Sequence, residues 1–214
     1  MAKVKSTRRY DSSGRTAQAL RNRTAILDAA QHQFLEDGYG RTTIASVARE
    51  AGVSVETIYK GFGGKADLVR EVYERGLAGR QQATVYQRSD EMREHETDPA
   101  KILRYWASLI AELGPQVGPI RVVMRSAAAD DADLARVMST SDDDRLKRMR
   151  HNARFLERRG YLRPGVSAAD AADVLWTCTS AEWYELMVLR RGWSPRRFER
   201  FVGDFLVAAL LAPS

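Results

Sequence analysis

The stretch TTIASVAREAGVSVETIYKGFGGK, residues 42–65, decides the fold. Ile44, Val47, Ala48 and Ala51 stand at i, i+3, i+4 and i+7, a narrow apolar stripe along one side of a two-turn helix, with Thr43 placed to cap its start. Gly52 follows the last apolar position, where the chain must turn and a left-handed residue costs least. Ser54 then caps a second short helix, with Glu56 near the positive end of its dipole. Two short helices about such a turn form a helix-turn-helix, the arrangement that lets the second helix enter a DNA major groove.

Upstream, Ala25, Ile26, Ala29, Ala30, Gln33 and Phe34 keep helical spacing from about residue 16 to Asp37, and Gly38 ends the run. Two short helices alone cannot bury a core, so this helix is expected to pack Ile26, Ala30 and Phe34 against Ile44, Val47 and Ile58. Downstream, Leu68, Val69, Val72, Tyr73 and Leu77 extend one helical period from Lys65 to about Met92, and polar residues 91–99 read as a loop. From Pro99 the apolar positions run through Ile102, Tyr105, Trp106, Leu109, Ile110 and Leu113 to a stop at Gly114-Pro115, with a shorter helix through Ile120, Val123, Met124 and Ala127. A long amphipathic run covers 131–159; its basic cluster, Arg145 to Arg150, reads as a solvated face. No convincing strand alternation appears, so the fold class is all-α.

The last two helices have broad apolar faces: Ala172, Leu175, Trp176, Thr179, Trp183, Leu186 and Met187 on one, Phe198, Phe201, Val202, Phe205, Leu206, Ala209 and Leu210 on the other. Between them Gly192-Trp193-Ser194-Pro195 supplies a stop, a cap and a first-turn proline. Paired with a second copy they would form a four-helix interface, which makes Trp183, Phe198, Phe201, Val202, Phe205, Leu206 and Ala209 the candidate dimer residues.

Thr42-Thr43, Gly52, Val53, Ser54, Thr57, Tyr59, Phe62 and Lys65 together resemble the helix-turn-helix of the TetR family of transcriptional regulators. The C-terminal pattern Leu175-Trp176-Thr177, Trp183-Tyr184-Glu185-Leu186 and Arg191-Gly192-Trp193-Ser194 is similar to the dimerising half of the same family. The resemblance is strong over 25–80 and looser beyond 100. One departure is Gly61, where the family usually carries a bulky residue that touches the DNA backbone. The resemblance implies an N-terminal three-helix DNA-binding domain (16–64) behind a basic arm (1–15), and a larger helical effector-binding and dimerisation domain (65–214). It also implies a palindromic double-stranded operator, a homodimer and a small-molecule effector of unknown identity, with no cofactor.

Charge distribution agrees. Residues 1–23 hold seven bases against Asp11 alone, a net +6, while the remaining 27 bases and 27 acids cancel. A basic arm beside the motif would meet phosphates or a minor groove; the alternative is a solubilising tail. The longest apolar run, Phe205 to Ala212, is eight residues, far short of the roughly 20 that cross a bilayer. The single Cys178 excludes an intramolecular disulfide and suits a reducing, cytoplasmic setting.

Side-chain reach assigns roles in the second helix. Val55, Glu56, Thr57 and Lys60 can meet base edges: Lys60 a guanine, Glu56 a cytosine N4, Val55 or Thr57 a thymine methyl. Thr43, Ser54, Tyr59 and Lys65 suit phosphates, with a core role as the alternative for Tyr59, and Thr42 completes the candidate DNA-binding set. Tyr105, Trp106, Met124, Phe155 and Trp176, with Arg121, Arg125 and His151 as polar anchors, are the candidate effector-pocket residues. Enzyme signatures are weak. Gly61 to Lys65 lacks the strand, Gly and Ser/Thr of a phosphate loop; His32, His95 and His151 show no metal-ligand spacing; Cys178 has no neighbouring base. The reading is therefore a ligand-released homodimeric repressor rather than an enzyme. Its rivals are an effector-independent architectural DNA binder and a small all-helical enzyme.

Overall fold

The computed structural model describes residues 13–79 and 83–213, and among these every regular element is helical. The basic arm therefore falls almost wholly outside the described residues. Helix α1 (Ser13–Glu36) ends where Gly38 takes φ +79°, and a single turn, α2 (Gly38–Arg41), leads into the motif. In α3 (Ile44–Ala51) the Thr43 hydroxyl accepts from the Ser46 amide at 3.0 Å, and Gly52 closes the helix at φ 67°. In α4 (Val55–Phe62) Ser54 Oγ accepts from the Thr57 amide at 3.2 Å. Each expected cap is thus present, satisfying amide groups that a short helix leaves orphaned.

The helix after the motif is shorter than its periodicity suggests. α5 (Lys65–Ala78) stops at Gly79, φ +71°, and α6 (Val85–His95) starts afresh with Thr84 accepting from the Gln87 amide. The loop is correspondingly only 96–98, with Asp98 capping α7 through the Ala100 amide at 2.9 Å. α7 (Pro99–Ala127) passes straight through the expected stop at Gly114-Pro115. An interior proline deletes one backbone bond and crowds the carbonyl four residues back, at a cost of about 3 kcal/mol. Here each half of the helix is fixed by a different core. Ile102 to Ala111 belong to one buried cluster with α8 (Ala132–Arg158), α9 (Ala168–Cys178), α10 (Ala181–Tyr184) and α11 (Pro195–Leu210). Ile120 and Met124, with Leu134 of α8, complete a second cluster built from α1 to α5. Between them lies Gly114-Pro115-Gln116-Val117-Gly118-Pro119, against which the Tyr184 ring packs so closely that a Cβ at Gly114 would sit 2.2 Å from it.

The expected single helix over 172–187 is broken at Thr179-Ser180, and α10 runs on as a π-helical turn, Glu185–Arg190. A further bond ties the two halves of the molecule: Tyr39 Oη donates at 2.8 Å to Asp131, which also caps α8 through the Leu134 amide.

Candidate nucleic-acid interface and effector cavity

Ile58 and Phe62 anchor α4 in the smaller core, so Val55, Glu56, Tyr59 and Lys60 are turned outward. Tyr59 is 54% exposed, which removes the core role for its ring. Ser54 and Thr43 are exposed at helix starts; Thr57 is half-buried, its hydroxyl 2.9 Å from that of Ser54. Exposed Arg41 and Arg49, on α2 and α3, add two cations that sequence reading did not select. Helix α3 is held to α1 by a chain of bonds: Ser46 Oγ donates to Gln33 at 2.6 Å, and Gln33 donates to Glu50 at 2.6 Å. The same bond from Gln33 is the main reason the Glu50 carboxyl titrates below its ordinary value.

Two expected DNA contacts are corrected. Thr42 is buried, with its hydroxyl donating at 2.9 Å to the Gly38 carbonyl. Lys65 turns its ammonium inward, donating to the carbonyls of Tyr39 at 2.9 Å and Thr42 at 3.2 Å, with Nζ 4.2 Å from the centre of the Tyr39 ring. A cation at the negative end of α2 satisfies two carbonyls that the helix end leaves orphaned. Lys65 thus clamps the start of α5 to the turn before α3.

Above this unit, α5 to α11 enclose a cavity of about 400 Å³. Of the sequence-selected pocket residues only Trp106 and Arg121 line it. Met124 lies fully buried in the smaller core. Tyr105 is about 100° around α7 from Trp106, packed against the larger core instead. His151 and Phe155 face a separate open surface cleft with Arg93 and Arg158, because a one-residue step turns His151 away from Asn152, which does line the cavity. Burial, then Arg93 and Arg148, hold the His151 imidazole below its usual value. Trp176 sits behind Arg145, whose guanidinium carbon is 4.4 Å from the ring centre. Arg125 is spent on Glu182 at 2.8 Å and on Glu185.

The cavity wall that sequence reading missed includes part of the supposed solvated face of α8. Arg145 and Arg148 point inward: Arg145 bonds Thr179 Oγ1 at 3.1 Å and the Trp176 carbonyl, and Arg148 bonds Asp90 and the Tyr86 carbonyl. Ser141, Arg145, Arg148 and Asn152 fall on one stripe of α8, a signal present in the spacing but hidden by its charge.

The expected dimer ridge divides in two. Phe198, Val202 and Leu206 are fully buried within the chain, because α11 lays that face along α7. They are removed from the candidate interface. Trp183, Phe201 and Phe205 form a partly exposed aromatic group, with ring centres 5.6 and 5.2 Å from Trp183, and Ala209 is half-buried. Leu186 and Leu189, on the π-helical turn, extend the exposed apolar surface. Cys178 is buried, which pushes its thiol up to about 12. No described helix is long and apolar enough to cross a membrane.

A capped helix-turn-helix is joined through shared helices to a cavity-bearing helical body. Residues 26–72 match the family model of the bacterial regulatory proteins, tetR family. The HTH-type transcriptional regulator TtgR of Pseudomonas putida is 42% identical over 53 residues, 25% of each chain. HbdR of Aromatoleum is 49% identical over 47 residues, 22% of this chain and 20% of its own. The matched stretch is thus about a quarter of these relatives' length. Fold similarity extends much further. NalD, the secondary repressor of the MexAB-OprM multidrug efflux pump in Pseudomonas aeruginosa, superposes with TM-score 0.72 at 20% identity, covering 92% of this chain and 100% of that one. The SmeT-triclosan complex gives TM-score 0.68 at 21% identity over 90% and 93%.

Proposed function

We propose that this protein is a homodimeric DNA-binding transcriptional repressor released from its operator by a small molecule bound in the cavity. The observation that carries the proposal is the position of α5. Lys65, at its start, clamps the helix-turn-helix, while Arg70, Tyr73, Glu74 and Leu77 on the same helix line the cavity. A ligand that displaces these side chains acts on the recognition helix through a rigid rod of 14 residues, about 21 Å.

In this reading residues 16–64 are the DNA-binding unit, 1–15 a basic arm, and 65–214 the effector and dimer part. Glu56, Lys60, Val55 and Thr57 read base edges; Thr43, Ser54 and Tyr59 position the unit on phosphates. Leu186, Leu189, Trp183, Phe201 and Phe205 form the face that a second copy covers, placing two recognition helices one DNA turn apart, about 34–36 Å. NalD is described as a repressor and SmeT as a complex with triclosan, which supports this class of activity for the same fold.

The test is fluorescence anisotropy on a duplex enriched from random sequence by the purified protein, with sedimentation in parallel. The proposal expects a palindromic consensus bound by a dimer. Monomeric binding without sequence preference would favour the architectural reading instead.

A further inference from the structure

The cavity wall carries an uneven distribution of charge and of unsatisfied donors. Arg121, Arg145 and Arg148 line it with side chains only 9%, 15% and 16% exposed, whereas Asp142, Asp90, Glu74 and Asp144 around it are all 34% exposed or more. The buried charge is therefore positive and its counter-charges stand toward water. Asp142 is shared by Arg121 at 2.7 Å and Arg145 at 3.3 Å, and Asp90 by Arg93 and Arg148, so each carboxylate serves two guanidiniums.

Hydrogen bonding points the same way. Ser89 Oγ, Trp106 Nε1, Arg121 Nη1, Arg148 Nε and Asn152 Oδ1 are buried in this wall without a protein partner. Three of the five are pure donors from nitrogen, and only the Asn152 oxygen is a pure acceptor. Leaving a buried donor unpaired costs about 1–3 kcal/mol, and more when it is charged. Among the arginines, Arg145 and Arg148 spend their amino groups on carbonyls, a hydroxyl and carboxylates, while Arg121 keeps a whole amino group free. Arg121 lies 5.3 Å from the centre of the Tyr73 ring on α5. Between Arg121 and Trp106, about 22 Å apart along α7, the lining is apolar: Leu109, Ile110, Leu113 and Val117.

We propose that the cavity binds an elongated amphipathic organic anion, its oxyanion held by Arg121 beside Tyr73 and its apolar body lying along α7 toward Trp106. The inference rests on the cavity being the effector site, and it supplies the ligand's chemical class. It also gives the ligand a reason to act on α5, since the anion draws Arg121 from Asp142 at the point where α5 and α7 meet the smaller core.

The experiment titrates the full-length protein with decanoate, methyl decanoate, 1-decanol and decyltrimethylammonium, each below its aggregation threshold, following Trp fluorescence and calorimetry. Operator release is measured in parallel. A charge-assisted hydrogen bond is expected to make decanoate about tenfold or more tighter than its methyl ester or the alcohol. In Arg121→Met this gap should close to less than about twofold, with alcohol affinity unchanged; in Arg121→Lys part of it should return. The acid-to-ester ratio in the wild-type protein tests the proposal even if a variant misfolds. Equal binding of ester or cation, a gap that survives in Arg121→Met, or no binding by any of the four would overturn it. Alcohol that binds as tightly as the acid and also releases DNA would sink the anion assignment yet leave ligand release standing. Arg121-dependent decanoate binding without DNA release would do the reverse.

Discussion

Replacing Gly114 with Ala tests how the two halves of the molecule are joined. In an exposed helix interior this change stabilises by about 1 kcal/mol, because glycine carries excess backbone entropy. At Gly114 the added Cβ would lie 2.2 Å from Tyr184 Cε2 and 2.3 Å from Cδ2, far inside contact distance. The ring has no free retreat: Phe198 meets it edge-on at 5.6 Å, and Gly118 on the next turn is as tight, with Cδ1 2.5 Å from a Cβ there. Overpacking of this kind costs about 1–3 kcal/mol or more, so the clash should outweigh the propensity gain and leave a net loss of roughly 1–2 kcal/mol. For a chain of this size that is a fall of about 2–8 °C in thermal midpoint, measured at fixed protein concentration because a dimer's midpoint depends on it. The decisive assay is the double-mutant cycle. With Tyr184→Ala the obstruction is gone, and Gly114→Ala should now stabilise, so its effect reverses sign between the two backgrounds. Stabilisation by Gly114→Ala in the otherwise native protein, or the same shift in both, would refute the proposed wedge.

Other outcomes follow from single residues. Lys65→Met should lower folding stability by about 2 kcal/mol, because two backbone carbonyls lose a charged donor, while the salt dependence of DNA binding stays unchanged; a flatter salt slope at unchanged stability would return Lys65 to the phosphates. Lys60→Ala should relax preference at one base pair per half-site by roughly 1–3 kcal/mol, and equal loss on random DNA would deny it a base-reading role. Phe205→Glu, at a position 39% exposed beside Trp183, should abolish the dimer without lowering helix content, and an unchanged sedimentation coefficient would move the interface elsewhere. Glu185 is held below the ordinary 4.5 chiefly by its hydrogen bond from Arg125, then by Arg190. A depressed carboxylate stabilises fully above its unfolded value and loses that contribution as pH falls through the folded one. Glu185→Gln should therefore flatten the fall in thermal midpoint below about pH 4.5, and an unaltered acid limb would show that the pair contributes nothing.

Much of the fold was legible because caps are local. Thr43, Gly52, Ser54 and Ser194 each satisfy backbone groups within a few residues, so the sequence around them contains the whole cause. What depends on packing between distant elements was not legible. Gly114-Pro115 carries the residues of a stop, yet two separate cores hold the helix on either side, and Tyr184 arrives from seventy residues away. The apolar period of α11 is the same whether α7 or a second copy covers it, and for Phe198, Val202 and Leu206 the answer was α7. Arg145 and Arg148 looked solvated because charge normally is; the carbonyls of Trp176 and Tyr86 that draw them inward lie far along the chain. At Lys65 the residue type was read correctly as a lone cation, but its partners were the chain's own carbonyls.

The most direct test of ligand-released repression is linkage. Ligand affinity is measured with the protein free and with it saturated by its enriched operator, and operator affinity is measured with and without saturating ligand. If the cavity and α4 are coupled through α5, both affinities fall by one common factor, a coupling of about 1–3 kcal/mol, and Arg121→Met abolishes it for an anionic ligand. Ligand affinity that is the same on and off the operator would contradict the account, however tightly the compound binds.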